Sequence, residues 1–283
     1  MNAVKTAVLL GLLSAILLIG GSALGGRNGL YIGLGLAVVM NFASYFFSDK
    51  IALMSYSAQP VAPDQNPEVY ARVSPLVGNI TQRMGLPMPK LWLIPDDSPN
   101  AFATGRDPAH ASVAFTYGIL RLMNDSELEG VVAHELGHVL HRDILISSVA
   151  ATLAAAITMI ARMSFWFGGS GRDDREDRGG GLFMLIVAPI AAALIQMAVS
   201  RTREYSADEA SAKYTGNPNA LISALSKLER GSQQIPMDAT PATAHMFIIK
   251  PFSANALFRL FSTHPSTADR IARLQTMGMG SIR

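Results

Sequence analysis

Four stretches of this chain contain no Asp, Glu, Lys or Arg: Thr6–Gly26, Asn28–Ser48, Ile144–Ala161 and Gly179–Ser200, of 21, 21, 18 and 22 residues. Backbone in hydrocarbon must satisfy its own hydrogen bonds, so an apolar run of about 20 residues has one ready solution, a helix crossing about 30 Å. All 44 charged side chains, 23 basic and 21 acidic, fall in the other 201 residues. That remainder is 22% charged, against 16% for the whole chain; about 25% is ordinary for globular domains. The chain therefore reads as a membrane protein with a soluble part. The 49% hydrophobic content excludes disorder, and the absence of Cys excludes a disulfide scaffold or a Cys-ligated metal. A net charge of +2 gives no case for nucleic acid.

The first two stretches have spanning length. A retained hairpin is favoured over a signal peptide, because the second span follows after Arg27 alone. Gly20, Gly21, Gly25, Gly26, Gly33 and Gly35 would let its helices approach closely. The third and fourth stretches are weaker: one is rich in Ala, Ser and Thr, the other carries Pro189 and Gln196, and a polar Gly-rich turn, Gly168–Gly181, joins them. They form either a second membrane hairpin, the favoured reading, or a buried helical hairpin inside the soluble domain. Lys5 before the first hairpin, and Lys50, Arg72 and Arg83 after it, put both termini and the soluble part in the cytoplasm. The polar turn, with three Arg against four acidic residues over 172–178, votes weakly the other way.

The expected organisation is thus a transmembrane hairpin (1–48), the first half of a catalytic domain (49–143), a second hairpin (144–200) and the other half (201–283). Helices are expected at Pro67–Gly85, at Ser126–Asp143 with Ser126 or Asp125 as N-cap, at Arg201–Tyr214, at Pro218–Arg230 stopped by Gly231, and at Ser266–Met277. Lys90–Ile94 reads as a strand, and Asn100–Thr104 with Ala111–Thr116 as a β-hairpin around Gly105–Pro108. This is an α-helical membrane protein with an α+β soluble domain and four apolar helices in two hairpins.

The chemistry is carried by His134-Glu135-Leu136-Gly137-His138. Residues four apart on a helix share a face, so two imidazoles can reach one Zn²⁺. Glu135, beside the first ligand, can take a proton from water that the metal acidifies. Six His among 283 residues make about 0.004 chance matches to this pattern. A third ligand is needed, and no His follows at the short spacing that some zinc peptidases use. Glu204 is the candidate; Asp208, one turn on, would bond the free nitrogen of a ligating His and fix its tautomer. Glu209 is the rival but faces about 100° away from Asp208. Both weak spans lie between His138 and Glu204, so the number of crossings between them must be even. Ile144 begins six residues after His138 and Ser200 ends four before Glu204. The metal helices are therefore expected to run on into the membrane helices, with the metal within about 10 Å of the bilayer surface.

HELGHVLHRD at 134–143, SRTREYSADEAS at 200–211, NAFATG at 100–105 and STHPSTADRI at 262–271 resemble the HtpX family of membrane-bound zinc metalloproteases, and the related CAAX-prenyl and mitochondrial stress proteases. The resemblance runs through nearly the whole chain. It implies a zincin-like domain of the gluzincin type, with one Zn²⁺ per chain held by His134, His138 and Glu204, and Glu135 as base. It implies an ATP-independent endopeptidase that cleaves misfolded membrane proteins in envelope quality control and the stress response. The site and both termini would face the cytoplasm of a bacterial inner membrane. The same likeness gives His264, with Arg270, the role of donating to the tetrahedral oxyanion.

Asn100, Ala101 and Phe102 are expected on an edge strand that pairs with an extended polypeptide substrate. Asp143 is expected behind the ligands or at the helix end; His141, His110 and His245 are structural. A zinc transporter is the first rival, disfavoured because Glu127, Glu129, Arg142 and Asp143 flank the motif and no other intramembrane His or acid lines a path. An intramembrane protease is disfavoured by the same charges. A non-catalytic zinc-binding scaffold is the third. The oligomeric state is not legible.

Overall fold

A computed structural model of the chain describes residues 2–147, 149, 201–234 and 265–280. Helix α1 (Asn2–Phe46) is folded back on itself at Gly25 and Gly26, where φ 55° and ψ −135° at Gly26 suit a residue without a Cβ. Its arms touch through glycine: a Cβ on Gly21 or Gly29 would overlap the carbonyl oxygen of the other, and one on Gly33 that of Leu17. Asn41 Nδ2 donates to Ser14 Oγ across the arms at 2.8 Å. The second arm, Gly25–Phe46, is long and apolar enough to cross a bilayer; the apolar part of the first, Thr6–Ser22, is shorter. Of the second expected hairpin only its first residues are described. Ile146 and Val149 pack on Leu9 and Leu13 of α1.

Past the hairpin come α2 (Ser48–Ser55), β1 (Gln59–Pro60), α3 (Pro67–Met84), β2 (Lys90–Ile94), β3 (Ala101–Gly105), β4 (Ala111–Thr116), α4 (Tyr117–Leu122) and α5 (Asp125–Leu140). The remaining described elements are α6 (Arg201–Thr215), α7 (Pro218–Gln234) and α8 (Thr267–Gly280). The sheet order is β1-β2-β4-β3. The β3–β4 hairpin is antiparallel, as expected, while β2 runs parallel to β4. Side chains alternate across the sheet. Leu91, Leu93, Ala101, Val113 and Phe115 join the main core with α3, α5 and α7. Ile94, Phe102 and Ala114 instead pack on Ala52 and Leu53 of α2, the helix that follows α1. β3 is the outer strand, with no described strand on its far side.

α3 starts with Pro67 and stops at left-handed Gly85 (φ 67°), as its sequence predicts. α5 is capped by neither Ser126 nor Asp125 but by Asn124. The Asn124 side chain accepts from Glu127 N at 2.9 Å, and Glu127 Oε2 accepts from Asn124 N at 3.0 Å. This reciprocal pair satisfies two end amides at once.

α5 also does not run on into the next helix. It stops at Leu140; Arg142 is left-handed (φ 57°), and the chain becomes helical again at Ile144. Asp143 N donates to His138 O at 2.9 Å, closing the break. α7 passes through Gly231, where a Cβ would meet Pro99 Cγ at 3.2 Å, so this glycine serves a close approach and not a stop. Ser266 does cap α8, its Oγ accepting from Asp269 N at 3.0 Å.

α5 lies at the centre, against α3, α6, α7 and β3. Glycines make that possible. A Cβ on Gly130 would lie 2.9 Å from Leu221 N, and one on Gly137 3.1 Å from the Cα of Ala207. Ser211 Oγ donates to Gly130 O at 2.7 Å, which fixes the register of α6 on α5.

Candidate active site

His134 and His138 stand one turn apart on α5, their ring centroids 4.9 Å apart and their planes at 87°. Gly137 lets α6 approach, and this brings Glu204 to them. Glu204 Oε2 is 3.7 Å from His134 Nε2, and Oε1 is 3.6 Å from His138 Nε2. One ligand atom from each residue falls within 4.8 Å of the others. Two donors held at about 2.0–2.1 Å by a tetrahedral ion sit roughly 3.3 Å apart, so the trio fits a divalent metal. Glu209, the rival ligand, is exposed.

Each imidazole has a carboxylate behind it. His134 Nδ1 is 2.9 Å from Asp208 Oδ1, and His138 Nδ1 is 3.5 Å from Asp143 Oδ2. A proton held at Nδ1 leaves the Nε2 lone pair for the metal. Arg270, 1% exposed, grips Asp208 with a fork: Nε to Oδ2 at 2.9 Å and Nη2 to Oδ1 at 2.6 Å. Its Nη2 also lies 3.3 and 3.4 Å from the ring nitrogens of His134.

Burial alone would raise the pKa of Asp208, but the Arg270 charge and the His134 contact outweigh it and hold the group down at about 2. Burial likewise works to lower His138, yet the Asp143 hydrogen bond and the charges of Glu204 and Glu135 push it up to about 9. Glu135 moves up. Burial dominates there, against the lowering effect of His134, His138 and a hydrogen bond from Ala103.

That hydrogen bond is the residue role the sequence reading missed. Ala103 N on β3 donates to Glu135 Oε2 at 2.9 Å. The donor is main chain, so no side chain in NAFATG advertises it. Arg203, which the sequence offers only as a pairing partner for Glu204 and Asp208 on a solvated helix face, lies with Nη1 3.8 Å from Asp143 Oδ1.

Other expectations land differently. Asn100 turns its main chain toward β4: its N donates to Thr116 Oγ1 at 2.9 Å and its O accepts from Thr116 N at 3.0 Å. Alternation gives Phe102 the same direction, and its ring packs on Tyr56 with centroids 5.6 Å apart. The outward main-chain groups are therefore those of Ala101 and Ala103. Arg270 grips Asp208 and also faces the ligand trio, its Nη1 lying 3.8 Å from Glu204 Oε2. His264 lies outside the described residues. His110 bonds Asp107 (Nδ1 to Oδ1, 2.8 Å) at the hairpin tip, and His141 caps the end of α5.

An outer strand running beside a metal-binding helix, with a buried carboxylate between them, is the arrangement of a metal-dependent peptide hydrolase. Known proteins agree. The model for peptidase family M48 matches residues 63–278, and the chain belongs to that family. It is 54% identical over 279 residues to a protein named Protease HtpX homolog from Desulfatibacillum aliphaticivorans, covering 96% of this chain and 89% of that one. It is 52% identical to a protein of the same name from Acaryochloris marina, covering 97% and 94%. The one from Pelotomaculum thermopropionicum is 46% identical, covering 99% and 100%. Among solved structures, the crystal structure of S. mikatae Ste24p shares the fold at a TM-score of 0.50 and 21% identity, over 96% of this chain and 65% of that one. The protein is a membrane-bound metalloprotease, and nothing in these relationships supports a transporter.

Proposed function

We propose that the protein is a zinc endopeptidase of a bacterial inner membrane, which cleaves misfolded membrane proteins without ATP. The observation that carries this reading is the convergence of His134, His138 and Glu204 beside a carboxylate, Glu135, held by the outer strand. Zinc, bound by those three, would acidify water and polarise a carbonyl.

The chain's own residues do the rest. Glu135 takes the proton from the attacking water and delivers it to the leaving amine. Its burial suits that exchange by raising its affinity for the proton. The outward main-chain groups of β3 other than Ala103 N, which Glu135 holds, bind an extended substrate, Asp208 and Asp143 orient the imidazoles, and Arg270 steadies Asp208. His264 remains the proposed oxyanion donor on the strength of the family resemblance. Residues 49–143 and 201–283 form one catalytic unit, with hairpins at 1–48 and 144–200 and the unit on the cytoplasmic side.

The test uses full-length protein in detergent. Wild type should bind one zinc and cleave an unfolded protein such as casein; Glu135→Gln should keep the zinc and lose at least about 10²–10⁴ in rate. A fully active Glu135→Gln protein would end the reading. The native chain has no Cys, so single introduced cysteines report the topology directly.

A further inference from the structure

We propose that Arg203 is a positioning residue of the site: acting through Asp143, it holds the His138 ring with Nε2 toward the other two ligands. This rests on the metalloprotease reading above and adds a residue to it.

The support is a correspondence between the two halves of the site. On one side Arg270 grips Asp208, and Asp208 meets Nδ1 of His134. On the other, Arg203 Nη1 is 3.8 Å from Asp143 Oδ1, and Asp143 Oδ2 is 3.5 Å from His138 Nδ1. Each ligand imidazole is thus backed by a carboxylate, and each carboxylate by a guanidinium. The two chains of contact share α6, which carries both Asp208 and Arg203, and differ in their other members. Asp208 and Arg270 sit on α6 and α8; Asp143 arrives only because the left-handed Arg142 breaks α5 and returns the chain to His138.

Burial makes Arg203 unusual. Its side chain is 12% exposed, and among the described residues neither Nη1 nor Nη2 makes a hydrogen bond. A guanidinium is not buried at this cost without a charged partner, and the carboxylates within its reach are those of the site. Charge counting agrees. Glu135, Glu204, Asp143 and Asp208 bring four negative charges and Arg203 and Arg270 two positive ones, so a divalent ion on neutral imidazoles leaves the buried cluster neutral. Without Arg203 the loaded cluster carries an excess negative charge.

The test compares zinc-loaded full-length wild type, Arg203→Gln, Arg203→Lys, Asp143→Asn and the double variant Arg203→Gln with Asp143→Asn. Zinc transfer to a competing chelator is measured, then the visible spectrum of the Co²⁺ form, then kcat and KM on a peptide. Arg203→Gln and Asp143→Asn should each weaken zinc binding about 10–100-fold, the usual effect of removing a partner behind a ligand. Both should shift the Co²⁺ spectrum and leave KM unchanged. Arg203→Lys should recover part of the loss, and the double variant should be little worse than Asp143→Asn alone, because the residues act in series.

Additive losses in the double variant would overturn the proposal. So would a raised KM with zinc affinity and spectrum intact, which would make Arg203 a substrate contact. If Arg203→Gln does not fold, Arg203→Lys and Asp143→Asn decide on the same readouts. Failure of wild type to bind zinc would refute the proposed function instead, so the two failures are separable.

Discussion

The α1 hairpin and the α5–α6 pair are built with the same device and use it for different ends. In α1, Gly21, Gly29 and Gly33 let two backbones touch, and Asn41 bonds Ser14 across the gap. In the catalytic half, Gly130 and Gly137 let α7 and α6 touch α5, and Ser211 bonds Gly130. In the membrane placement proposed above, lipid supplies no hydrophobic drive between the two arms, and the close fit and the polar bond are themselves the attraction. Around α5 the core supplies that drive, and the glycines set a distance instead: they decide whether Glu204 reaches the two imidazoles.

The largest effect that would test this contrast is at Gly137. Gly137→Val should push α6 away, abolish stoichiometric metal binding and cut peptide cleavage by more than about 10²-fold, the cost of about 1 Å of misplacement. Normal metal content in that variant would break the comparison. Gly29→Val should splay the hairpin at an overpacking cost of about 1–3 kcal/mol. It should leave metal content unchanged and cleavage of a short soluble peptide within about threefold of wild type, while cleavage of a membrane substrate falls.

A smaller effect concerns protons. His138 is raised from 6.5 to about 9 in the metal-free protein, so its charged form stabilises the fold fully below 6.5 and that contribution is lost as the pH rises through 9. Metal needs the neutral ring, so binding at pH 7.5 should release close to one proton from this group. Titration calorimetry in buffers of different ionisation enthalpy measures it; zero release would contradict the geometry around Asp143.

The smallest effect lies at the N-terminal end of α5. Burial opposes ionisation of Glu127, but Lys227 at 2.6 Å, the Ser223 hydroxyl and the Asn124 amide win and hold its pKa below 4.5. That stabilisation is present above 4.5 and disappears as the pH falls through the lowered value. Lys227→Met should cost about 1–3 kcal/mol at pH 7, and the gap from wild type should close in acid. No ion pair is described within α1, so acid should loosen the catalytic half first.

What the sequence disclosed follows from where the information sits. His134, Glu135, His138 and the i, i+4 pair Glu204 and Asp208 were legible, because ligand chemistry needs particular side chains at helical spacing. Gly85 marked a helix end, because a left-handed residue favours glycine there (φ 67°). Gly231 misled, because close packing selects the same residue type. Ala103 was hidden because its contribution is an amide that every residue but proline carries. The contact of Arg203 with Asp143 and the break at Arg142 were hidden because they are defined by what α6 and α5 place together, which helical periodicity does not encode. The parallel pairing of β2 with β4 is set by the core on both faces of the sheet and left no local mark.

β3 is clasped by β4 along one side and has Phe102 packed against Tyr56, so in the proposed binding mode a visiting chain is offered a single rim. A rim of amides and carbonyls pairs with the peptide unit common to all sequences and is almost indifferent to composition. What it does require is several consecutive residues already straightened and free of internal partners. In that proposed mode, discrimination between sound and damaged clients would arise from conformation alone, because a native protein has no loose length to lay down.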